Sequence, residues 1–283
     1  MAKFSALKKE ALRRINDISG AKITTAVMGD FINNALEDWA TSVEPMLYTY
    51  GWAVTAKQFR YDLPDNWMKP KTVHWYQNGE YPVQYMSPKD FQRRGYMDWD
   101  QTSTTPQAYT IIDRDLWLGP PPSTTGNTSA MNDAGGISAT DTSVIATDGT
   151  KFRTNSGVVK IEDELIMYQN VSTNTLQLLI RAQGGTTAAT HADATTISRC
   201  DLVATYFAVP AALSATTDAP VIETRWHKTL LYSAIAQALN ALGREDEAMQ
   251  QMQIYEAKKV EAKREVRRAQ RDEYFSIYSP YSP

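Results

Sequence analysis

The chain has 283 residues, 29 Lys and Arg against 32 Asp and Glu, and a formal net charge of −3. Hydrophobic residues make up 42% and charged residues 22%, globular proportions for one large domain or two smaller ones, each able to bury a core. This balance gives no reason to expect an unspecific grip on phosphate backbones, and the single cysteine, Cys200, excludes an internal disulfide and a cysteine-built zinc site.

The N-terminal "MAKFSALKKEALRRIND" is charged from Lys3 onward and reaches no apolar h-region, so it does not read as a secretory signal. It predicts an amphipathic helix over Phe4 to Ile18, separated by Gly20 from a longer one. In that second helix Ile23, Val27, Phe31, Ala35 and Trp39 recur every four residues, one buried stripe. From about Met46 the texture turns to strands. "KQFRYDLP" alternates and stops at Pro64, and "TVHWYQNGEYPVQYM" reads as a hairpin around Asn78-Gly79, a pair that tolerates positive φ. Ser87, followed by Pro88, predicts the cap of a short helix, and "AYTIID" and "DLWLGPPP" read as two more strands.

"PPPSTTGNTSAMNDAGGISATDTS" then reads as a linker or long loop. Short strands at "SVIAT", "VVKI", "ELIMYQN", "LQLLI" and "ATTISR" follow, predicting a compact all-β module from about Thr124 to Ser198. "DLVATYFA" is one more strand. Trp226, Leu230, Ala234, Ala238 and Leu242 open a helical hairpin, turned at Gly243. Its last helix begins with Glu245, Asp246 and Glu247 and gathers Arg264, Arg267, Arg268 and Arg271 towards its end. The tail "YFSIYSPYSP" cannot continue a helix through its Ser-Pro steps. The expected fold class is α+β: a helical bundle from the N- and C-terminal helices, a small antiparallel sheet and an inserted all-β domain. The expected division is a core of 1–123 and 199–273, the β-domain 124–198, and an extended arm 274–283.

The stretch "IRAQGGTTAATHADATTI" looks most like an active site. A phosphate loop, however, needs a Lys and a hydroxyl at a helix start, and Gly184-Gly185 leads into Thr and Ala with strand texture on both sides. Cys200 and His191 are near in sequence, but the plainer reading is a small strand residue and a loop histidine. His74, His191 and His227 show no ligand spacing, and the "EDE" at Glu162 to Glu164 reads as a charged turn. No catalytic, cofactor-binding or metal site is expected. The basic end of the last helix fits a solvated helix with a favourable dipole, or a face for an acidic partner. Tyr274, Phe275, Tyr278 and Tyr281 are either a disordered tail or aromatic anchors for a partner's grooves.

Taken in order, "INNALEDW", "FRYDLPDNW", "PQAYTIIDRDLWLGPPPS" and the segment from "LVATYFAVP" to "YEAKKVEAKR" resemble the head-to-tail adaptor (connector) proteins of tailed, chiefly short-tailed, bacteriophages. Tyr61-Asp-Leu-Pro64, Leu118-Gly-Pro-Pro-Pro122 and Trp226 through Gly243-Arg244 occupy that family's motif positions. The predicted insert is similar to a small β-module of phage tail and baseplate proteins, through Phe152, Gly157, Ile161, Glu164, Ile166, Tyr168, Arg181, Gly185, Thr186, Ala188 and His191. In that pattern Gly-Gly permits a tight turn and His191 packs or hydrogen-bonds.

The resemblance implies a non-enzymatic virion protein at the head-tail interface, assembled in the host cytoplasm, in a homo-oligomeric ring of about twelve subunits. Implied partners are the portal protein and tail nozzle or tail fibre proteins, with non-specific DNA passage through the lumen and no membrane. The portal-binding residues it implies are Arg264, Arg267, Arg268, Arg271, Tyr274, Phe275, Tyr278 and Tyr281. One competing reading is a glycan-binding or adhesion protein of the tail using the β-domain, in which exposed aromatics would stack on sugars. Another is a hydrolase, for which the sequence offers no convincing acid pair.

Overall fold

The computed structural model describes residues 2–43, 46–77, 79–98 and 100–278. The chain divides into two compact units, Met1–Met46 with Val209–Pro283, and Leu47–Ala208. The helices are α1 (Phe4–Arg14), α2 (Thr25–Ser42), α3 (Pro88–Arg93), α4 (Leu230–Ala241) and α5 (Glu245–Tyr278). The strands are β1 (Met46–Ala53), β2 (Arg60–Asp62), β3 (Trp67–Trp75), β4 (Tyr81–Pro82), β5 (Gln84–Tyr85), β6 (Ala108–Ile112) and β7 (Asp115–Gly119). They continue with β8 (Thr128–Ala130), β9 (Ser143–Ile145), β10 (Gly157–Ile161), β11 (Glu164–Tyr168), β12 (Asn170–Ser172), β13 (Thr175–Gln177) and β14 (Thr196–Ala208).

This corrects the expected fold class. A helical bundle with a small sheet is not the architecture. Among the described residues fourteen strands form three sheets, of seven, four and three strands, beside five helices, so the class is α+β at most and largely β. The reason lies in β14. Its first residues pair with β8 and β10 and its later ones with β3, so strands expected in two places share one seven-stranded sheet, ordered β11-β10-β14-β3-β4 with β1 and β8 also on β14. β8 falls within the stretch expected to be a linker.

In the first unit α1 ends at Arg14, earlier than Ile18, because Asp17 turns the chain. Its carboxylate accepts from the N–H groups of Ala21, Lys22 and Ile23 at 3.0, 3.0 and 2.8 Å, and these bonds, that from Ile23 foremost, hold it below the usual carboxylate range. Thr24 caps α2 by accepting from Val27 N–H. Fully buried Trp39 on α2 packs against Trp226 and Tyr255 at ring-centroid distances of 5.5 and 6.1 Å. Ala248, Tyr255 and Ala262 recur every seven residues as the buried stripe of α5. Polar contacts hold that helix further: Tyr255 Oη and Lys259 Nζ both donate to Asp38, at 2.7 and 2.8 Å, and Arg225 pairs with Glu265 at 2.6 Å.

The second unit has its own core around Trp52, Tyr61, Trp75, Leu116 and Leu118, and another under β10 to β13 that includes Val159, Ile166, Tyr168 and Leu176. The hairpin around Asn78-Gly79 is wider than a two-residue turn: Trp75 pairs with Tyr81, since Tyr76 N–H is drawn to Asp201 O at 2.7 Å. Asn78 itself lies outside the described residues.

Trp39 meets aromatic rings from two other segments, so its truncation leaves a void that no single neighbour can fill. Trp39→Ala is expected to destabilise the helical unit by about 3–5 kcal/mol, read as a lower midpoint of denaturant unfolding by far-UV circular dichroism.

Candidate functional site

β10 and β11 form a hairpin in which Ile161 pairs with Glu164 and Gly157 with Tyr168, leaving Glu162 and Asp163 as its turn. Glu164, Ile166 and Tyr168 alternate along β11 and point into the core, so Glu164 is not part of a charged surface turn. It is 1% exposed, and a carboxylate there persists only if it is richly hydrogen-bonded. Arg181 supplies a two-pronged contact, Nε to Oε1 at 2.8 Å and Nη2 to Oε2 at 2.7 Å. The N–H groups of Ala182 and Ala189 add bonds of 3.1 Å each, and His191 Nε2 lies 2.9 Å from Oε2. The other ring nitrogen, Nδ1, lies 2.8 Å from Glu162 Oε2. Burial alone pushes the Glu164 carboxyl up, but the Arg181 fork, His191 and the two amides outweigh it and bring the pKa down to about 2.

The stretch that looked like an active site therefore closes the module. Arg181 also donates to Ser138 O at 2.6 Å and Ala189 O at 2.7 Å, fastening the segments around Ser138 and Ala189 to strand β11. Gly184 has φ +63°, and a Cβ there would sit 2.5 Å from Tyr50 Cδ2, so the glycine is required by both backbone and space. Thr186 Oγ1 donates to Gln183 O and accepts from Leu165 N–H, tying the turn to β11. His191 is 3% exposed with both ring nitrogens at carboxylates, the hydrogen-bonding role expected of it rather than that of a base with a free nitrogen. Cys200 is buried on β14, where burial pushes its thiol up and disfavours the nucleophilic thiolate.

The other histidines lie apart from this cluster. His74 stacks on Tyr76 at 5.9 Å, and His227 Nε2 donates to Ile222 O at 2.9 Å. Among the described residues no group of three or more His, Cys, Asp or Glu is placed to hold a metal ion, and no helix is long and apolar enough to cross a membrane. A second buried ion pair, Arg199 to Asp201 at 2.6 Å, sits on β14. Nothing in the sequence marked it as a pair except its i, i+2 spacing on a strand. Glu164 was legible through its place in the β-module pattern with Ile161, Ile166 and Tyr168, although the "EDE" reading set it in a charged turn.

The residues expected to bind portal all fall on or beyond α5. Arg264 and Arg268 are exposed there. Arg267, Arg271, Tyr274, Phe275 and Tyr278 lie on the same helix, with side chains outside the described part, and Tyr281 lies outside the described residues altogether.

The chain matches the family model described as SU10 adaptor protein over residues 2–282. It belongs to the SU10 adaptor protein family. That makes it a bacteriophage adaptor, a structural component of the virion that associates with other head and tail proteins. None of the curated proteins matches it. In the adaptor the cluster of Glu164, Arg181 and His191 fastens β11 to the segments around Ser138 and Ala189.

Glu164 has a folded-state pKa near 2 against an ordinary value of 4.5, so its contribution to stability is fully present above about pH 4.5 and is lost as pH falls towards 2. The adaptor's β-unit is expected to lose stability across that window. Glu164→Gln leaves the Arg181 guanidinium buried without its counter-charge and is expected to cost about 3–5 kcal/mol while flattening the acid dependence. Thermal denaturation at a series of pH values checks both.

Proposed function

We propose that this adaptor assembles into a homo-oligomeric ring that joins the portal to the tail and lets DNA pass through its lumen. In this reading 1–123 and 199–273 form the core, 124–198 an inserted β-domain, and 274–283 an arm. The observation that carries the reading, beside family membership, is α5. A helix of 34 residues spans about 51 Å. Among the described side chains Ala248, Tyr255 and Ala262 are buried, and Lys259 and Glu265 pair with Asp38 and Arg225. Arg264, Arg267, Arg271, Tyr274 and Tyr278 follow one another by three, four, three and four residues, the spacing of a single helix face. A cationic and aromatic face on a long helix suits a groove with acidic walls on a partner, and the portal is the partner proposed.

The β-domain in this reading is a structural addition. Tyr168, the aromatic on which sugar stacking would depend, is buried with its hydroxyl accepting from Arg153 N–H at 3.1 Å. That favours a packing role over a glycan platform. Glu162 and Glu164 are engaged with His191 and Arg181 rather than set across a cleft, and no enzymatic role is proposed.

Electron microscopy of the full chain with its portal is expected to show rings docked on portal. Reversing two exposed charges, Arg264→Glu with Arg268→Glu, is expected to weaken portal association about tenfold at low salt, with the difference shrinking as salt rises. Free monomers in the presence of portal would overturn the ring. Unchanged affinity in the double variant and in a chain lacking 274–283 would overturn the docking face.

A further inference from the structure

A cleft of about 270 Å³ opens on the β-unit at the end of the β10–β11 hairpin where Gly157 faces Tyr168, away from the Glu162–Asp163 turn. Tyr76, Glu80, Arg153, Ser156 and Arg199 line it. The Arg153 guanidinium lies over the Tyr76 ring, 4.1 Å from its centroid, and His74 stacks on the same ring at 5.9 Å. This cation–π contact holds the guanidinium at the cleft wall, and a guanidinium carries five N–H donors in all. Its carboxylate contact, to Glu80, is 3.8 Å, longer than a charge-assisted hydrogen bond. Glu80 is instead drawn on by Tyr76 Oη and approached by His74 Nδ1, each at 3.3 Å. Arg199 is neutralised by Asp201 at 2.6 Å. Arg153 is therefore the cation in this cleft with donor capacity to spare.

At the opposite end of the same hairpin the turn presents two carboxylates. Glu162 is held by His191, and Asp163 is exposed beside it. Five residues of strand separate the two ends by about 16 Å, so the turn cannot fold back into its own cleft. We propose that the cleft receives the Glu162–Asp163 turn of a second copy of the chain. Arg153 would meet Asp163 in a charge-assisted pair, while Ser156 lies at the cleft wall to bond the turn backbone. The two surfaces differ and lie at opposite ends of one rigid hairpin, so the contact is heterologous, the kind that closes into a ring when the rotation permits. The inference rests on the ring proposed above and identifies one of the contacts that would build it.

The test uses the full chain with Ser156→Cys and Asp163→Cys together, Cys200 retained because it is buried. Mild oxidation is expected to give a ladder of covalent oligomers on a non-reducing gel. Each single variant alone should give no ladder, and an equal mixture of the two should give covalent dimers and nothing larger. Arg153→Glu is expected to reduce the ring fraction by about tenfold, and Asp163→Lys, on an exposed turn with no packing role, should do the same. Combining Arg153→Glu with Asp163→Arg should restore ring formation. Rings that form equally in Asp163→Lys and give no cross-link would overturn this contact while leaving the ring intact. A wild-type chain that stays monomeric and uncross-linked at every concentration, with or without portal, would overturn both.

Discussion

Strand β14 sets the order of the larger unit. A buried strand must pair its backbone N–H and C=O groups along its length, and thirteen residues exceed what one short neighbour can serve. β8 and β10 meet its first residues, from Thr196 to Arg199, and β3 meets it from Leu202 to Ala208. Between them Arg199 N–H is met by Asn127 O, and Asp201 O by Tyr76 N–H. The handover is crowded enough that β1 carries Gly51 where a Cβ would come within 2.7 Å of Cys200 Cβ. Moving β14 by one residue would turn Cys200, Leu202, Ala204 and Tyr206 out of the layers they fill and break every one of these contacts.

The two buried carboxylates of this unit show why donors, rather than burial, decide ionisation. Glu164 is surrounded by a guanidinium fork, two amides and an imidazole, and its pKa is drawn down to about 2. Asp201 is as deeply buried but has Arg199 on one oxygen, while Oδ2 finds no hydrogen-bond partner in the described structure. Burial therefore prevails over Arg199 at Asp201, and its pKa is raised. The same residue class thus serves as a rigid fastening in one place and as a less stable element in the other, which sits on the strand joining the sheet's two halves.

The helices were legible in the sequence because their periodicity is complete within each segment. The stripe holds at Ala35 and Trp39 but not at Val27, which is exposed while neighbouring Met28, Ile32 and Leu36 are buried, and Ser87 caps α3. The sheet was less legible because its grouping depends on pairing across the chain. "ATTISR" and "DLVATYFA" read as two strands because Arg199 and Asp201 interrupt the apolar run, yet they neutralise each other and the strand continues through them. The turn at Asn78-Gly79 carries a strong local signal, but the long-range bond from Tyr76 to Asp201 sets where pairing stops. At this cluster the β-module pattern marked Glu164, Arg181, Gly185 and His191, while the polar appearance of "EDE" concealed that its last residue faces inward.

The β10–β11 hairpin connects these observations with assembly. Docking a flexible turn costs conformational entropy, and a turn held before contact avoids much of that cost. Glu162 is held to His191, His191 to Glu164, and Glu164 to Arg181, whose remaining N–H groups fasten two further loops. The chain of contacts fixes the turn against the module without using Asp163, which stays exposed. At the far end Tyr168 Oη holds the backbone of Arg153, and Tyr76 orients its guanidinium. A hairpin fastened at both ends transmits position along its strands with little loss, so an interface built on its two ends would set the angle between neighbouring subunits. Ring closure depends on that angle. In the proposed ring, the cluster built on buried Glu164 and His191 would act through the geometry it enforces rather than through any chemistry of its own.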